Sequence, residues 1–223
     1  MHAKASIVVE EYLKIIYSLS LEQKNVRAVS LTNRLKSSAS TVSATLSRLQ
    51  RDGLIELSVK KDISLTSEGL KSAEAIVRRH RLVETFLCTT LKINWYEVHQ
   101  HAHVLEHGLT PLVEEKLAEF LGFPESCPHG APIPGFRNSL PSEMIYLDAA
   151  QKGSQIEIVM IDSSLEDSKD LLKFLQEKDL LPGKKHLVID RREVTKTVLL
   201  KYSGESVAIP FEIASKIGVI PLA

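Results

Sequence analysis

The chain has 223 residues, 43% of them hydrophobic and 25% charged, which is the balance of an ordinary globular protein with its own core. Its longest apolar runs are far shorter than a membrane span. The apolar start at Ile7 is followed at once by Glu10 and Glu11, so neither a transmembrane helix nor a signal peptide is expected. Cys88 and Cys127 form no Cys-x-x-Cys pair, which argues against a disulfide-stabilised secreted scaffold. We therefore expect a cytoplasmic protein.

The formal net charge is zero, but the charges are unevenly distributed along the chain. Residues 24–81 carry twelve Lys and Arg against five Asp and Glu, whereas residues 82–223 carry fourteen against twenty. A basic N-terminal third joined to an acidic remainder favours a polyanion-binding module carried on a regulatory body.

The N-terminal third has the pattern of a small helical domain followed by a hairpin. The spacing of apolar residues predicts three helices, over residues 7–20, 30–35 and 41–51. Ser30 is a candidate cap of the second helix, and the third stops at Asp52-Gly53. Two strand-like runs, 54–57 and 63–66, flank a basic segment. This order predicts a winged helix-turn-helix, whose third helix enters a major groove. A helical domain without a nucleic-acid role is the alternative.

The expected partner of this module is double-stranded DNA. Short side chains on the third helix fit close to a DNA backbone and make few bidentate base contacts, while basic residues in the turn, helix and wing contact phosphates. The candidate DNA-binding residues are Lys36, Ser38, Ser40, Thr41, Ser43, Ala44, Arg48, Arg51, Lys60 and Lys61.

The segment from His99 to His107 contains the strongest metal-ligand pattern of the chain. On a helix, four ligand-type residues of this segment fall within an arc of about 100°. They are His99, His103, Glu106 and His107. His101 points away from them and is expected at the surface. Apolar residues such as Val98 and Ala102 on the opposite face argue against a solvated His/Glu face, which is the alternative.

A second pair of ligand-type residues lies upstream, on a long helix predicted from residue 67 to about residue 90. There His80 and Glu84 stand one turn apart on a common face. Imidazole and carboxylate groups gathered in this way suit a divalent metal. Cys127 and His129 follow in a Pro- and Gly-rich segment, where the flanking prolines favour an ordered loop over another metal site.

The remainder of the chain changes character. After a helix over 110–121 and the Pro- and Gly-rich linker, short strands surround one amphipathic helix at 167–178. The strands are predicted at 155–161, 186–189, 195–200 and 206–209. This pattern is typical of a small β-barrel.

With these segments in place, the chain resembles the diphtheria toxin repressor family of metal-dependent transcriptional regulators, which includes the manganese transport regulators. The segments that carry the resemblance are Glu11–Tyr17, Thr41–Ser43, Arg51–Leu54, Leu65–Gly69, Arg79–Glu84, Leu105–His107 and Pro132–Pro134. The resemblance implies a mainly α protein with a small β domain. Its domains would be a winged helix-turn-helix DNA-binding domain (1–74), a helical metal-binding and dimerisation domain (75–140) and an SH3-like (FeoA-like) β-barrel (141–223).

The resemblance also implies two metal sites. The primary, activating site would be made by Glu11, His103, Glu106 and His107. The ancillary site would be made by His80, Glu84 and His99, with Glu166 from the barrel domain. Glu11 and His103 depart from the family pattern, because iron-responsive members carry Met and Cys there and manganese regulators carry carboxylates.

A carboxylate and an imidazole at these two positions harden the site and favour Mn(II), with Fe(II) as the alternative and other divalent transition metals binding in vitro. The sequence thus predicts a repressor, not an enzyme and without a membrane partner. It would sense Mn(II) and control metal-uptake genes by binding a palindromic operator as a homodimer. The first rival is a metal-dependent hydrolase, but the chain has no His-Glu-x-x-His run. The second is a winged-helix regulator of a small-molecule or redox signal with structural histidines.

Overall fold

The computed structural model describes residues 6–22, 25–137, 139–202 and 204–222, the side chains of Glu22 and Tyr202 excepted. The chain divides into two compact units, Met1–Arg79 and His80–Ala223. Within the described ranges, no helix is both long enough and apolar enough to span a bilayer. The three-domain boundaries expected from the sequence stay a prediction.

The first unit has the element order of a winged helix-turn-helix, as predicted. Its elements are α1 (Ile7–Glu22), α2 (Ala28–Leu35), α3 (Ala39–Arg51), β1 (Ile55–Leu57), β2 (Ile63–Leu65) and the first part of α4 (Ser67–Thr89). The apolar faces of these elements form one core, in which Ile16, Leu31 and Val42 are fully buried. The hairpin is antiparallel, with Ile55 opposite Leu65.

Local capping sets the ends of α2 and α3 in the helix-turn-helix. The expected cap of α2 at Ser30 is wrong, because α2 begins at Ala28 and Ser30 lies in its first turn. At the other end, Lys36 adopts a left-handed conformation (φ 50°) that ends α2 and starts the turn. Ser38 then caps α3, its Oγ accepting a hydrogen bond from the Thr41 N–H at 3.1 Å.

The helical part of the second unit comes after α4 in the chain. It consists of α5 (Val98–Leu105), a 3₁₀ turn (Glu106–Gly108) and α6 (Pro111–Phe120). The buried residues Val98 and Ala102 pack against Val83 and Leu87 of α4, so the predicted apolar face of α5 is confirmed there. The α-helical part of the metal-ligand segment ends at Leu105. Glu106 and His107 lie on the tighter turn, where successive side chains are rotated further than on an α-helix.

The rest of the second unit is the predicted small β domain. Its strands are β3 (Ile145–Tyr146), β4 (Gln155–Ile161), β5 (Lys185–Arg192), β6 (Thr197–Tyr202), β7 (Glu205–Pro210) and β8 (Ile217–Leu222). They form one antiparallel sheet in the order β3-β8-β4-β5-β6-β7. The short helices are α7 (Ser163–Glu166), α8 (Lys169–Glu177) and α9 (Phe211–Ala214). Leu172 and Leu175 of α8 are buried in the core of this domain.

Candidate metal centre and nucleic-acid interface

Three clusters of ligand-type side chains lie in the second unit. The first cluster is His103, Glu106 and His107; the second is His80, Glu84, His99 and Glu166; the third is Glu84, Cys127 and His129. Within each cluster, one ligand atom from every residue lies within 4.8 Å of the others. Nitrogen, oxygen and sulfur ligands stand about 2.0–2.3 Å from a transition metal, so two ligands of one ion are at most about 4.6 Å apart. Each cluster therefore fits a single ion with small side-chain adjustments.

The first cluster surrounds a buried carboxylate. Glu106 Oε1 lies 3.5 Å from His103 Nδ1 and 3.4 Å from His107 Nε2. The Glu106 side chain is fully buried, whereas that of His103 is 45% exposed. His103 comes from α5, and the 3₁₀ turn supplies the other two residues. Two imidazoles around one carboxylate are a donor set that suits a divalent cation.

The second cluster joins α4, α5 and α7. His80 Nε2 lies 3.0 Å from Glu84 Oε1 and 3.1 Å from His99 Nδ1. The same nitrogen of His99 is 2.9 Å from Glu166 Oε2. Glu166, which was expected only from the family resemblance, is thus placed beside the ancillary residues. His99 therefore belongs to this cluster, whereas His103 lies with Glu106 and His107 in the first.

His80 joins the first two clusters. Its Nδ1 contacts Glu106 Oε2 while its Nε2 faces Glu84 and His99. One imidazole therefore contacts a carboxylate of the first cluster through one nitrogen and residues of the second through the other. A ligand-type histidine whose second nitrogen is held by a carboxylate has a fixed ring orientation.

The third cluster was not predicted, and the expectation that the Cys127–His129 segment is only an ordered loop was incomplete. The loop is ordered, but its order buries His129 completely and points the ring at two carboxylates. His129 Nδ1 lies 3.5 Å from Glu84 Oε1 and 3.6 Å from Glu166 Oε1. The Cys-x-His spacing was the only sequence signal for this site.

Buried polar atoms of the third cluster support a metal there. Among the described residues, neither ring nitrogen of His129 nor Oε2 of Glu84 makes a hydrogen bond of ordinary geometry. Buried polar groups without partners cost about 1–3 kcal/mol each. A divalent ion bound by one ring nitrogen of His129, by Glu84 and by the Cys127 thiolate would provide a partner for that nitrogen and for the buried carboxylate.

Carboxylates around the second and third clusters control the protonation of the imidazoles. Burial disfavours the charged form of His99, but hydrogen bonds to Asp167 and Glu166 outweigh it and raise the pKa of His99 to about 12. Burial also disfavours the charged form of His129, but the negative charges of Glu166 and Glu84 outweigh this effect. The pKa of His129 is therefore well above its ordinary value. Burial raises the pKa of Glu84, but the positive charges of His80 and His129 together lower it by more, so that the net change is a decrease. A metal must therefore displace protons from these imidazoles.

Glu11, the remaining expected ligand, belongs to α1 of the first unit. Its Oε2 lies 3.2 Å from Lys14 Nζ. The neighbouring Glu10 is buried and pairs with Arg79 Nη2 at 3.2 Å, which ties α1 to α4 within that unit. A role of Glu11 as a metal ligand stays a prediction.

The expected DNA-binding residues are all exposed on the first unit. At the start of α3, the Ser38 hydroxyl lies 2.8 Å from those of Ser40 and Thr41. Ser43 and Ala44 follow on the outer face, while the inner face of α3 is buried. A helix N-terminus lined with hydroxyls suits the approach of a phosphate.

Basic side chains lie at the end of α3 and at the tip of the wing. Arg48 and Arg51 lie 3.6 Å and 3.2 Å from the carboxylate of Asp52, which partly balances their charge. In the wing, the N–H of Lys61 donates to the Ser58 carbonyl at 2.8 Å in a left-handed turn (φ 61°). This turn exposes Lys60 and Lys61 together. Their contact with DNA stays a prediction.

Comparison with known proteins gives the same order of domains. Three family models match: the iron dependent repressor N-terminal DNA binding domain (residues 5–63), the iron dependent repressor metal binding and dimerisation domain (66–135) and the FeoA domain (145–221). The chain is 30% identical to the iron-dependent repressor IdeR of Mycobacterium tuberculosis (strain ATCC 25618 / H37Rv), over 94% of this chain and 95% of that protein. It is 28% identical to the diphtheria toxin repressor of Corynebacterium diphtheriae, with the same two coverages. A solved manganese-dependent transcriptional repressor in complex with manganese has a TM-score of 0.85 and 31% identity, covering 96% of this chain and 100% of that one.

The fold, the ligand clusters and these matches define a class of protein, the metal-dependent DNA-binding transcriptional repressors, which are not enzymes. The chain belongs to the iron-dependent repressor family, of which the diphtheria toxin repressor is a member. The hydrolase alternative is thereby set aside. The dimerisation domain of the family supports a homodimer, and its DNA-binding domain supports a DNA partner.

Proposed function

We propose that this protein is a Mn(II)-activated repressor of metal-uptake genes, which binds a palindromic operator as a homodimer. The observation that carries the choice of metal is the donor set of the first cluster. It consists of two imidazoles and one buried carboxylate, without a thiol or thioether. Nitrogen and oxygen donors suit Mn(II) better than soft-ligand ions.

Fe(II) is the second candidate because of the third cluster. Cys127 adds a thiol to the donors of Glu84 and His129, and a thiolate favours softer ions than Mn(II). The relatives do not favour one metal, since IdeR is named an iron-dependent repressor and the solved structure is of a manganese-dependent one.

The proposed work of the metal is to join segments that are distant in the sequence. The residues that would hold it lie on α4, α5, the 3₁₀ turn, α7 and the loop of Cys127 and His129. A bound ion supplies positive charge to buried carboxylates and thereby orders these segments. DNA and metal then stabilise the same conformation, so that each tightens the binding of the other by an equal factor.

The proposed operator is palindromic because a dimer presents two identical recognition helices to successive major grooves. The outer face of α3 offers hydroxyls and a methyl group, with Arg48 and Arg51 at its end. Such a surface reads few base edges directly and takes much of its affinity from phosphates and DNA shape.

The test is a fluorescence-anisotropy titration of the metal-free protein with DNA from upstream of its own gene and of neighbouring metal-transport genes. Mn(II), anoxic Fe(II), Zn(II) and chelator are compared. We expect Mn(II) to tighten DNA binding by about 5–150-fold, which is the usual range of allosteric coupling. Tightening by Fe(II) alone identifies the iron-dependent alternative, and DNA binding indifferent to every metal contradicts the proposal.

A matched pair of variants assigns the effect to the first cluster. His107→Ala removes one of its ligands, whereas His101→Ala removes an exposed histidine of α5 that belongs to none of the three clusters. Only His107→Ala should abolish the response to metal. Circular dichroism checks that both variants fold.

A further inference from the structure

Trp95, the single tryptophan of the chain, lies against the third cluster. Its indole Nε1–H donates a hydrogen bond to the Pro128 carbonyl at 2.9 Å. The indole also contacts the imidazole of His129, with ring centroids 4.7 Å apart and the planes tilted by 53°. One side chain therefore holds both the peptide that precedes His129 and one face of its ring.

The opposite side of the same loop is held by strand β4. The N–H of Ile161 donates to the His129 carbonyl at 2.8 Å. Gly130 has φ +86°, and a Cβ there would lie 2.0 Å from the Val159 carbonyl oxygen, so only glycine permits this approach. The main chain of His129 is thus fixed by β4, and the remaining freedom of its side chain is limited by Trp95.

We propose that Trp95 is a positioning residue of the third cluster: it holds His129 with Nδ1 toward Glu84 and Glu166 and so lowers the cost of binding a metal there. The inference rests on the proposed metal-dependent function and names a residue that supports it without being a ligand. Ligands that are already ordered lose less conformational entropy when the metal binds. Removing an outer partner of a metal ligand typically costs about 10–100-fold in metal affinity.

A packing role alone makes a different prediction. Trp95 is 9% exposed and also belongs to the core of the β domain, so any change there lowers the stability of the metal-free protein. Loss of packing shifts the melting temperature but leaves the affinity of the folded protein for metal unchanged. Loss of positioning weakens metal binding to protein that is still folded.

The experiment is a Co(II) titration followed by the thiolate-to-cobalt charge-transfer band, which reports on Cys127 in the third cluster. The variants are Trp95→Phe, which keeps a ring beside His129 but has no N–H donor, and Leu200→Ala, a core change on β6 of the same domain. Cys127→Ser is the assignment control and should remove the band.

We expect Trp95→Phe to move the midpoint to about 10–100-fold higher Co(II). Leu200→Ala should lower the melting temperature and leave the midpoint unchanged. A wild-type midpoint in folded Trp95→Phe overturns the positioning role while the proposed function stands. If the wild-type chain binds neither Co(II) nor Mn(II), the proposed function fails and the positioning role with it.

The wild-type chain supplies a second measurement that needs no change at Trp95. Because the indole contacts His129, paramagnetic Co(II) in the third cluster should quench the tryptophan emission in parallel with the charge-transfer band. His101→Gln should leave this quenching intact, whereas His129→Gln should weaken both signals together. A full band with unquenched emission would contradict the inferred geometry.

Discussion

Metal binding should release protons, because the carboxylates around His99 and His129 favour the protonated form of both imidazoles in the metal-free protein. The pKa of His99 is raised to about 12 and that of His129 is well above its ordinary value. A metal binds neutral imidazole, so both protons must leave. Burial also raises the pKa of the Cys127 thiol, which adds a proton if the thiolate becomes a ligand.

The expected magnitude follows from these groups. Filling the second and third clusters should release about two protons at pH 7, or about three if Cys127 coordinates. With about one proton released at each cluster, the dissociation constant of each falls about 10-fold for each unit rise in pH in this range. Protons and the metal compete for the same ligand atoms, so metal binding tightens as the pH rises.

Isothermal titration calorimetry measures this release when the same titration is repeated in buffers of different ionisation enthalpy. His107→Ala, which disables the first cluster, restricts the measurement to the other two. His99→Gln should then release about one proton fewer. Release of less than one proton, with a dissociation constant that is the same at pH 6.5 and pH 7.5, would refute the protonation states derived from the structure.

Four further predictions follow from the two units. Glu11→Ala should abolish metal-dependent DNA binding without loss of helicity, and an anisotropy response equal to wild type would exclude Glu11 as a ligand. Because the pKa of His99 is raised to about 12 in the folded protein, protonated His99 stabilises the metal-free fold fully below about pH 6.5, and this contribution is lost as the pH rises toward about 12. Melting temperatures of the metal-free protein should therefore fall from pH 6.5 to pH 9, and a melting temperature that rises over this range would contradict the prediction. Replacing Lys60 and Lys61 by Ala should weaken binding to all DNA sequences alike and reduce the salt slope by about two, and a sequence-selective loss would argue for base contacts instead. Phe120, 66% exposed on α6 of the dimerisation domain, should be part of the dimer interface, so that Phe120→Glu yields monomers in analytical ultracentrifugation; an intact dimer would place the interface elsewhere.

Features encoded within a few residues could be predicted from the sequence. The apolar spacing of α1 and α3, the wing and the long helix α4 all depend on local periodicity, and the structure confirms them within a few residues. The pairs His80 with Glu84 and His103 with His107 are each one turn apart, so helical geometry alone brings them together. Strand β8 was missed because Gly218 and Pro221 weaken its pattern, and pairing with β3 and β4 stabilises it despite them.

Contacts between distant segments were decided only by the tertiary structure. Helical spacing alone put His99 on one arc with His103, whereas the family resemblance put it with His80 and Glu84; packing of α4, α5 and α7 brings it to Glu84 and Glu166. His129 became a candidate ligand only because its loop is held between Trp95 and β4, far from both carboxylates in the sequence. Local spacing determines which side chains share one turn of a helix, whereas a cluster drawn from two or three distant segments depends on how their buried surfaces pack.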